Sequence, residues 1–242
     1  MMKTLFHNPR CAICHDEISH QIGWVQLFSV EAATPICQTC QEKFEEITGE
    51  TCRICGRSFE NGEYLYKTGE LCFDCIRWEE TPEWSGLLER NTSIFHYNDF
   101  LKETLARFKF RGDYVIVHAF SLFLKRKLTE LKPNLFVPIP LSEERLYERG
   151  FNQAEALIKE SGFTPTCLLT RLHAEKQSKK SRWERIHLDQ VFSLNHVDVD
   201  VKNQNILLVD DIYTTGSTLR HAAKVLKEAG AASISSLTLA RG

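Results

Sequence analysis

Eight of the nine cysteines of this chain stand in four C-x-x-C pairs within its first third: Cys11/Cys14, Cys37/Cys40, Cys52/Cys55 and Cys72/Cys75. Two residues between thiolates let one knuckle of backbone offer both sulfurs to a tetrahedral Zn²⁺, so four pairs make two complete four-sulfur sites. The first residues, MMKTLFHNPR, show neither an apolar core nor a small-residue cleavage site, so no secretory signal is visible. A cytoplasmic chain keeps its thiols reduced, and tandem C-x-x-C pairs there favour metal over disulfides or a redox pair. Two structural zinc ions are therefore expected. Their pairing stays open: sequential pairing joins the first two pairs across 22 residues and the last two across 16, while a cross-braced arrangement joins the first with the third. His7, His15 and His20 are spare candidates, but eight thiolates leave them no vacancy.

The 242 residues fit a small unit plus a medium one. Residues 1–80 hold too few aliphatic side chains for a core of their own, and metal would supply folding free energy there. A linker is expected over 81–92, around Pro82 and Gly86, before an α/β unit over 93–242. The net charge of −2 gives no global attraction to nucleic acid, but the charge is uneven. Arg171, Lys176, Lys179, Lys180, Arg182 and Arg185 crowd one segment, and Arg107, Lys109 and Arg111 another. No apolar run approaches the about 18 residues needed to span a bilayer, so a cytoplasmic protein without membrane insertion is expected.

The sharpest chemical signal is N-I-L-L-V-D-D-I-Y-T-T-G-S-T-L, residues 205–219. The apolar run Ile206–Val209 predicts a strand buried on both faces of a parallel sheet, ended by Asp210 and Asp211. From Thr218 to Ala229 a helical period places Leu219, Ala222, Ala223, Leu226 and Ala229 on one face, with Gly230 closing the helix. A loop of small hydroxylated residues between strand and helix, with Gly216 and the helix N-terminus, makes a phosphate cradle. It is not a Walker loop, because the lysine of that motif is missing. Two carboxylates beside a phosphate site suit sugar hydroxyls and a hydrated Mg²⁺, and a phosphorylated ribose presents all three features. A solvated strand end is the bland alternative; the T-T-G-S-T that follows favours the site.

V-D-D-I-Y-T-T-G-S-T resembles the signature by which type I phosphoribosyltransferases bind phosphoribosyl pyrophosphate (PRPP). With the cysteine pairs, F-K-F-R-G-D (108–113), V-P-I-P-L (137–141), R-G-F-N-Q (149–153), E-K-Q-S-K-K (175–180) and S-S-L-T-L-A-R (235–241), the chain is similar to the ComF/GntX-like branch, and to ComFC-type late competence proteins within it. That resemblance implies a Rossmann-like phosphoribosyltransferase domain preceded by a zinc-ribbon-like module. It places the 5′-phosphate on Tyr213, Thr214, Thr215, Gly216, Ser217 and Thr218, and the ribose on Asp210 and Asp211 as catalytic carboxylates. It implies a strand over Leu135–Ile139 that leads into a pyrophosphate loop with Pro138, Ile139 and Pro140. Arg145 and Arg149, four apart on a helix from about Ser142, are candidate pyrophosphate grips, Arg149 foremost. The run 171–185 resembles a lid, with Gln177 and Arg182 as contacts; relatives commonly carry an Asn where this chain has Leu188.

Two functions follow as expectations. One is a Mg²⁺-dependent phosphoribosyltransferase of unidentified acceptor with a role in natural transformation. The other is a non-catalytic competence factor that binds single-stranded DNA, with the PRPP site as a sensor, working beside partners such as a DNA translocase. Cys167 is read as a small buried residue in a strand, and Phe151, Phe163, Trp24, Trp78 and Trp84 as core or interface residues.

Overall fold

The computed structural model describes residues 9–18, 35–60, 67–172, 191–195 and 199–242. Gln177, Arg182 and the rest of the expected lid beyond Leu172, together with His7, His20 and Trp24, lie outside the described residues. The centre is a four-stranded, wholly parallel sheet of β3 (Arg90–His96), β8 (Ser233–Arg241), β7 (Asn205–Tyr213) and β4 (Leu135–Pro138), in that order. A parallel sheet needs long crossovers, and helices supply them on both faces. One face carries α3 (Asp99–Phe110), α4 (Val117–Leu131) and α6 (Gln153–Glu160). The other carries α7 (Ser217–Glu228) and a small antiparallel pair, β5 (Leu169–Arg171) with β6 (Phe192–Leu194).

Alternation along β7 explains why both faces are filled. Leu207 and Val209 point into the core of α3, α4 and α6, whereas Ile206 and Leu208 point into that of α7, and all four are at most 1% exposed. Helix starts follow local side-chain chemistry. Asn98 accepts from the Leu101 N–H to open α3, Ser142 from Arg145 to open α5 (Glu143–Arg149), and Asn152 from Ala154 and Glu155 to open α6.

The cysteine-rich segment builds no separate core. Its short elements are α1 (Gln38–Gln41), the hairpin of β1 (Lys67–Thr68) and β2 (Leu71–Cys72), and α2 (Phe73–Glu80). Cys11, Ile13, Ile36, Cys40 and Phe44 join the α3/α4 core, where Phe44 stacks on Phe95 at 4.9 Å. Cys52, Ile54, Cys55, Phe59, Cys72 and Cys75 join the α7 core on the other face. The two cysteine groups therefore extend opposite layers of the same sandwich.

Several expected bounds shift. The strand expected over 206–209 runs on to Tyr213, so both aspartates lie inside it. β3 begins at Arg90, and residues 90–92 of the expected linker are strand. Cys167 is exposed and precedes β5, which corrects the reading of it as a buried strand residue; the chain after Pro165 turns Leu168 and Leu169 inward instead. Among the described residues no helix is long and apolar enough to cross a membrane.

Candidate phosphate site and cysteine tetrads

The site forms where two neighbouring strands part company. β4 pairs with β7 up to Pro138 opposite Val209, and the Ile139 N–H still donates to the Val209 carbonyl at 2.9 Å. Pro140 has no N–H with which to continue the ladder, and the chain leaves towards α5 and α6 on one face. β7 continues through Asp210–Tyr213, paired only with β8, and its own crossover α7 goes to the other face. Crossovers that diverge from adjacent parallel strands open a crevice beyond their carboxyl ends, the usual ligand position in such sheets.

Asp211 is 8% exposed, and its carboxylate accepts from Lys109 Nζ at 2.7 Å. Asp210 accepts from the Asp211 N–H. Burial pushes the Asp210 carboxyl up to about 7, with the Asp211 charge adding to the rise, while Lys109 and Arg171 oppose it. Arg149 stands close enough to feel both carboxylates, and burial lowers its pKa. Its guanidinium donates to Gln153 at 2.9 Å and lies 5.2 Å from the Phe110 ring, with Nε buried and unpartnered. Arg145, exposed on α5, faces both Arg149 and Arg171 electrostatically. Lys109, Arg149 and Arg171 thus bear on the two carboxylates, with Arg145 beside the two arginines.

The loop from Thr214 to Thr218 exposes Thr214 and Thr215, and Ser217 opens α7. Gly216 adopts φ +80°, and a Cβ there would meet Tyr213 Oη at 2.1 Å and Arg220 Nη1 at 2.5 Å. Any other residue there would strain the backbone and force Tyr213 or Arg220 to move. Tyr213 is 2% exposed and lies under the loop, its phenol accepting from Arg220. In the expected pyrophosphate loop, Ile139 is buried with both backbone groups bonded, its carbonyl accepting from Asn152. Pro138 and Pro140 flank it and hold the bend.

Both cysteine groups close sequentially, as Cys11/Cys14/Cys37/Cys40 and Cys52/Cys55/Cys72/Cys75, with all four sulfurs of each group within 4.8 Å of one another. Cross-bracing is thereby ruled out. Sulfurs of both groups approach to 3.6 Å, and a tetrahedral ion with arms of about 2.3 Å separates its sulfurs by about 3.8 Å. Hydrogen bonds from Cys55, Cys72 and Cys75 pull the Cys52 thiol down, and the bond to Cys52 pushes Cys75 up. A divalent cation relieves that conflict by letting all four sulfurs be thiolates, so the donor set and its geometry fit structural zinc. His15 stands outside the first tetrad and contacts Arg107 at 3.1 Å.

Lys109, Trp78, Arg220 and Arg241 were not legible as site residues, and Arg171 only as the first residue of the lid-like run. Trp78, at the end of α2, donates its indole N–H to the Thr215 carbonyl at 3.0 Å. It also meets Trp84 edge-on at 5.5 Å, and Trp84 lies 4.7 Å from the His221 ring of α7, so both rings pack between α2 and α7 rather than standing free. Phe151 packs on Phe108, and Phe163 on Phe136.

Comparison with known proteins agrees with this geometry. The double zinc ribbon domain family matches residues 2–76, and the phosphoribosyl transferase domain family matches residues 149–242. Competence protein ComFC of Bacillus subtilis (strain 168) is 40% identical over 239 residues, 97% of this chain and 96% of the relative. Competence protein ComFC of Streptococcus pneumoniae R6 is 36% identical, covering 85% of this chain and 87% of the relative. DNA utilization protein YhgH of Escherichia coli K12 is 26% identical, covering 78% and 89%. With two sequential cysteine tetrads ahead of a parallel sheet that ends in V-D-D-I-Y-T-T-G-S-T, and identity at this level over nearly its whole length, the chain belongs to the ComFC family of competence proteins.

Proposed function

We propose that this protein binds PRPP together with Mg²⁺ in the crevice between β4 and β7, and transfers the phosphoribosyl group to an acceptor as part of DNA handling in natural transformation. The observation that carries the reading is the pair Asp210 and Asp211 at the diverging strand ends, directly followed by the Gly216 turn. The 5′-phosphate would sit on the N–H groups and hydroxyls of Thr214–Thr218, over the N-terminus of α7. The ribose hydroxyls would donate to Asp210 and Asp211, with Mg²⁺ neutralising the carboxylates and the pyrophosphate. Arg149 and Arg145 would grip the pyrophosphate opposite the bend at Pro138–Pro140, with Gln177 and Arg182 closing over it. As the anomeric C–O bond breaks, pyrophosphate leaves with the electron pair and the acceptor forms the new bond. The two carboxylates stabilise the positive charge that develops on the ribose.

Calorimetric titration with PRPP and Mg²⁺ tests the reading. Binding that disappears in the Asp210→Asn/Asp211→Asn double variant is expected, and a wild-type protein that neither binds nor gains thermal stability overturns it. The cytoplasm, where PRPP is made and thiols stay reduced, is the compartment this reading requires.

A second reading, a competence factor for single-stranded DNA beside a DNA translocase, is favoured by Phe110, 70% exposed beneath Arg149, and Tyr147, 92% exposed on α5. Exposed rings interleaved with Arg145 and Arg149 suit base stacking along a phosphate backbone. Salt-dependent binding of an oligodeoxythymidine should weaken in the Phe110→Ala/Tyr147→Ala variant; equal affinity in both proteins removes this reading.

A further inference from the structure

The second cysteine tetrad and the phosphate loop share a wall. Cys72 and Cys75 fix the N-terminal turn of α2, and Trp78 and Glu79 follow one turn later on the same side of the helix. Trp78 reaches across and donates its indole N–H to the Thr215 carbonyl at 3.0 Å, the residue just before the Gly216 turn. Beneath that turn lies Arg220, which has no exposed surface. Its guanidinium lies over the Trp78 ring at 4.7 Å, donates to Tyr213 Oη at 2.9 Å, and faces Glu79 at 3.8 Å. Nε and Nη2 of Arg220 are buried without a hydrogen-bond partner.

A second strut runs from the tetrad to the same tyrosine. Arg241, on the last strand, donates to Cys55 Sγ at 3.7 Å and to the Tyr213 carbonyl at 3.4 Å, with its guanidinium 4.8 Å from the Tyr213 ring. Tyr213 is thus clamped between one arginine bound to the tetrad and another bound to the tetrad's own helix. An under-bonded buried guanidinium, facing Glu79 at 3.8 Å and packed directly below the Gly216 turn, ties the shape of the loop to the wall built by α2.

We propose that Trp78, Arg220 and Arg241 are positioning residues that make the second cysteine tetrad a structural part of the phosphate-ester site, so that metal held by the tetrad and phosphate ester held by the loop stabilise each other. The inference rests on the reading that the Thr214–Thr218 loop binds phosphate esters. Linkage requires reciprocity: if metal orders the wall that shapes the loop, a ligand on the loop must slow metal loss. The first tetrad, on the opposite face of the sheet, connects through Ile13 and Arg107 to α3 and so to the Asp211 side, whereas the described contacts join only the second tetrad to the Thr214–Thr218 loop. The first therefore serves as the internal control.

The test follows zinc release from the full chain to a chromophoric chelator indifferent to Mg²⁺. It is run without ligand, with PRPP and Mg²⁺, and with ribose 5-phosphate, which fills the phosphate loop and the ribose position but leaves the pyrophosphate side empty. Both ligands are expected to slow one of two release phases about fivefold or more and leave the other unchanged. Cys14→Ser, which removes the first tetrad, should retain the slowed phase. Trp78→Phe keeps a ring under Arg220 but no N–H for Thr215; it should hold two zinc ions per chain and lose most of the ligand effect. Binding of PRPP by calorimetry with neither phase slowed overturns the inference and leaves the PRPP reading intact. Protection by PRPP but not by ribose 5-phosphate also overturns it, since the effect then comes from the pyrophosphate side. Absence of any PRPP binding removes both readings.

Discussion

Lys109 Nζ stands 2.7 Å from the Asp211 carboxylate, with only 15% and 12% of the two side chains exposed. α3 delivers this cation, and the first tetrad helps to anchor α3. Arg107, two residues earlier, donates to the Ile13 carbonyl at 2.7 Å and pairs with Asp113 at 2.6 Å. Lys109→Met therefore leaves a largely buried carboxylate unpaired. A loss of about 1–3 kcal/mol is expected, read as a lower urea midpoint. An unchanged midpoint would mean that Lys109 contributes nothing to the folded state.

Titration of Asp210 sets opposite trends for stability and binding. Its carboxyl lies at about 7 in the folded chain against an ordinary value of 3.8. Between those values the folded chain holds a proton that the unfolded chain releases, so this group's contribution to stability falls as pH rises from about 4 to about 7. Mg²⁺ and ribose hydroxyls need the ionised form. PRPP affinity should be about tenfold weaker at pH 6 than at pH 8, beyond the titration of the ligand's own phosphates. Asp210→Asn supplies that baseline, and equal pH slopes in both proteins would exclude Asp210 from the effect.

Gly216 and Gly112 separate steric from conformational cost. Both have positive φ, but a Cβ at Gly112 meets nothing within 4 Å, whereas at Gly216 it would strike Tyr213 and Arg220. Gly112→Ala should cost about 1 kcal/mol and Gly216→Ala about 2–4 kcal/mol, with loss of PRPP binding only in the second. Chemical denaturation and calorimetry read both. Similar costs at the two sites would contradict the packing described under the loop.

The tetrads should part with metal at different rates. Cys14 is exposed and Cys37 half-buried in the first, while all four cysteines of the second are buried. Chelator challenge should release two zinc ions per chain in two phases, the faster belonging to the first tetrad. Cys14→Ser should abolish the fast phase and leave one equivalent by elemental analysis. A single phase in the wild type would contradict the difference in burial.

Much of the site was legible because its signals are local. A C-x-x-C knuckle presents both sulfurs within four residues, and the D-D-I-Y-T-T-G-S-T run carries carboxylates, cradle and helix start in one stretch. Ser142 announced α5, and the period of Leu219, Ala222, Ala223 and Leu226 announced α7. Cys167 was misread because its flanking apolar residues suggested a strand that begins only at Leu169.

The sequence by itself pointed to two four-thiolate sites, a parallel strand carrying two acids, and a candidate phosphate turn around Gly216. Tertiary structure decided that the tetrads close sequentially and occupy opposite layers, that Lys109 rather than solvent faces Asp211, and that Trp78 holds the Thr215 turn. Those pairs are separated by 102 and 137 residues, and no short-range preference encodes them. They exist because alternate side chains of a parallel strand face opposite layers and because β4 leaves the sheet at Pro140 while β7 goes on.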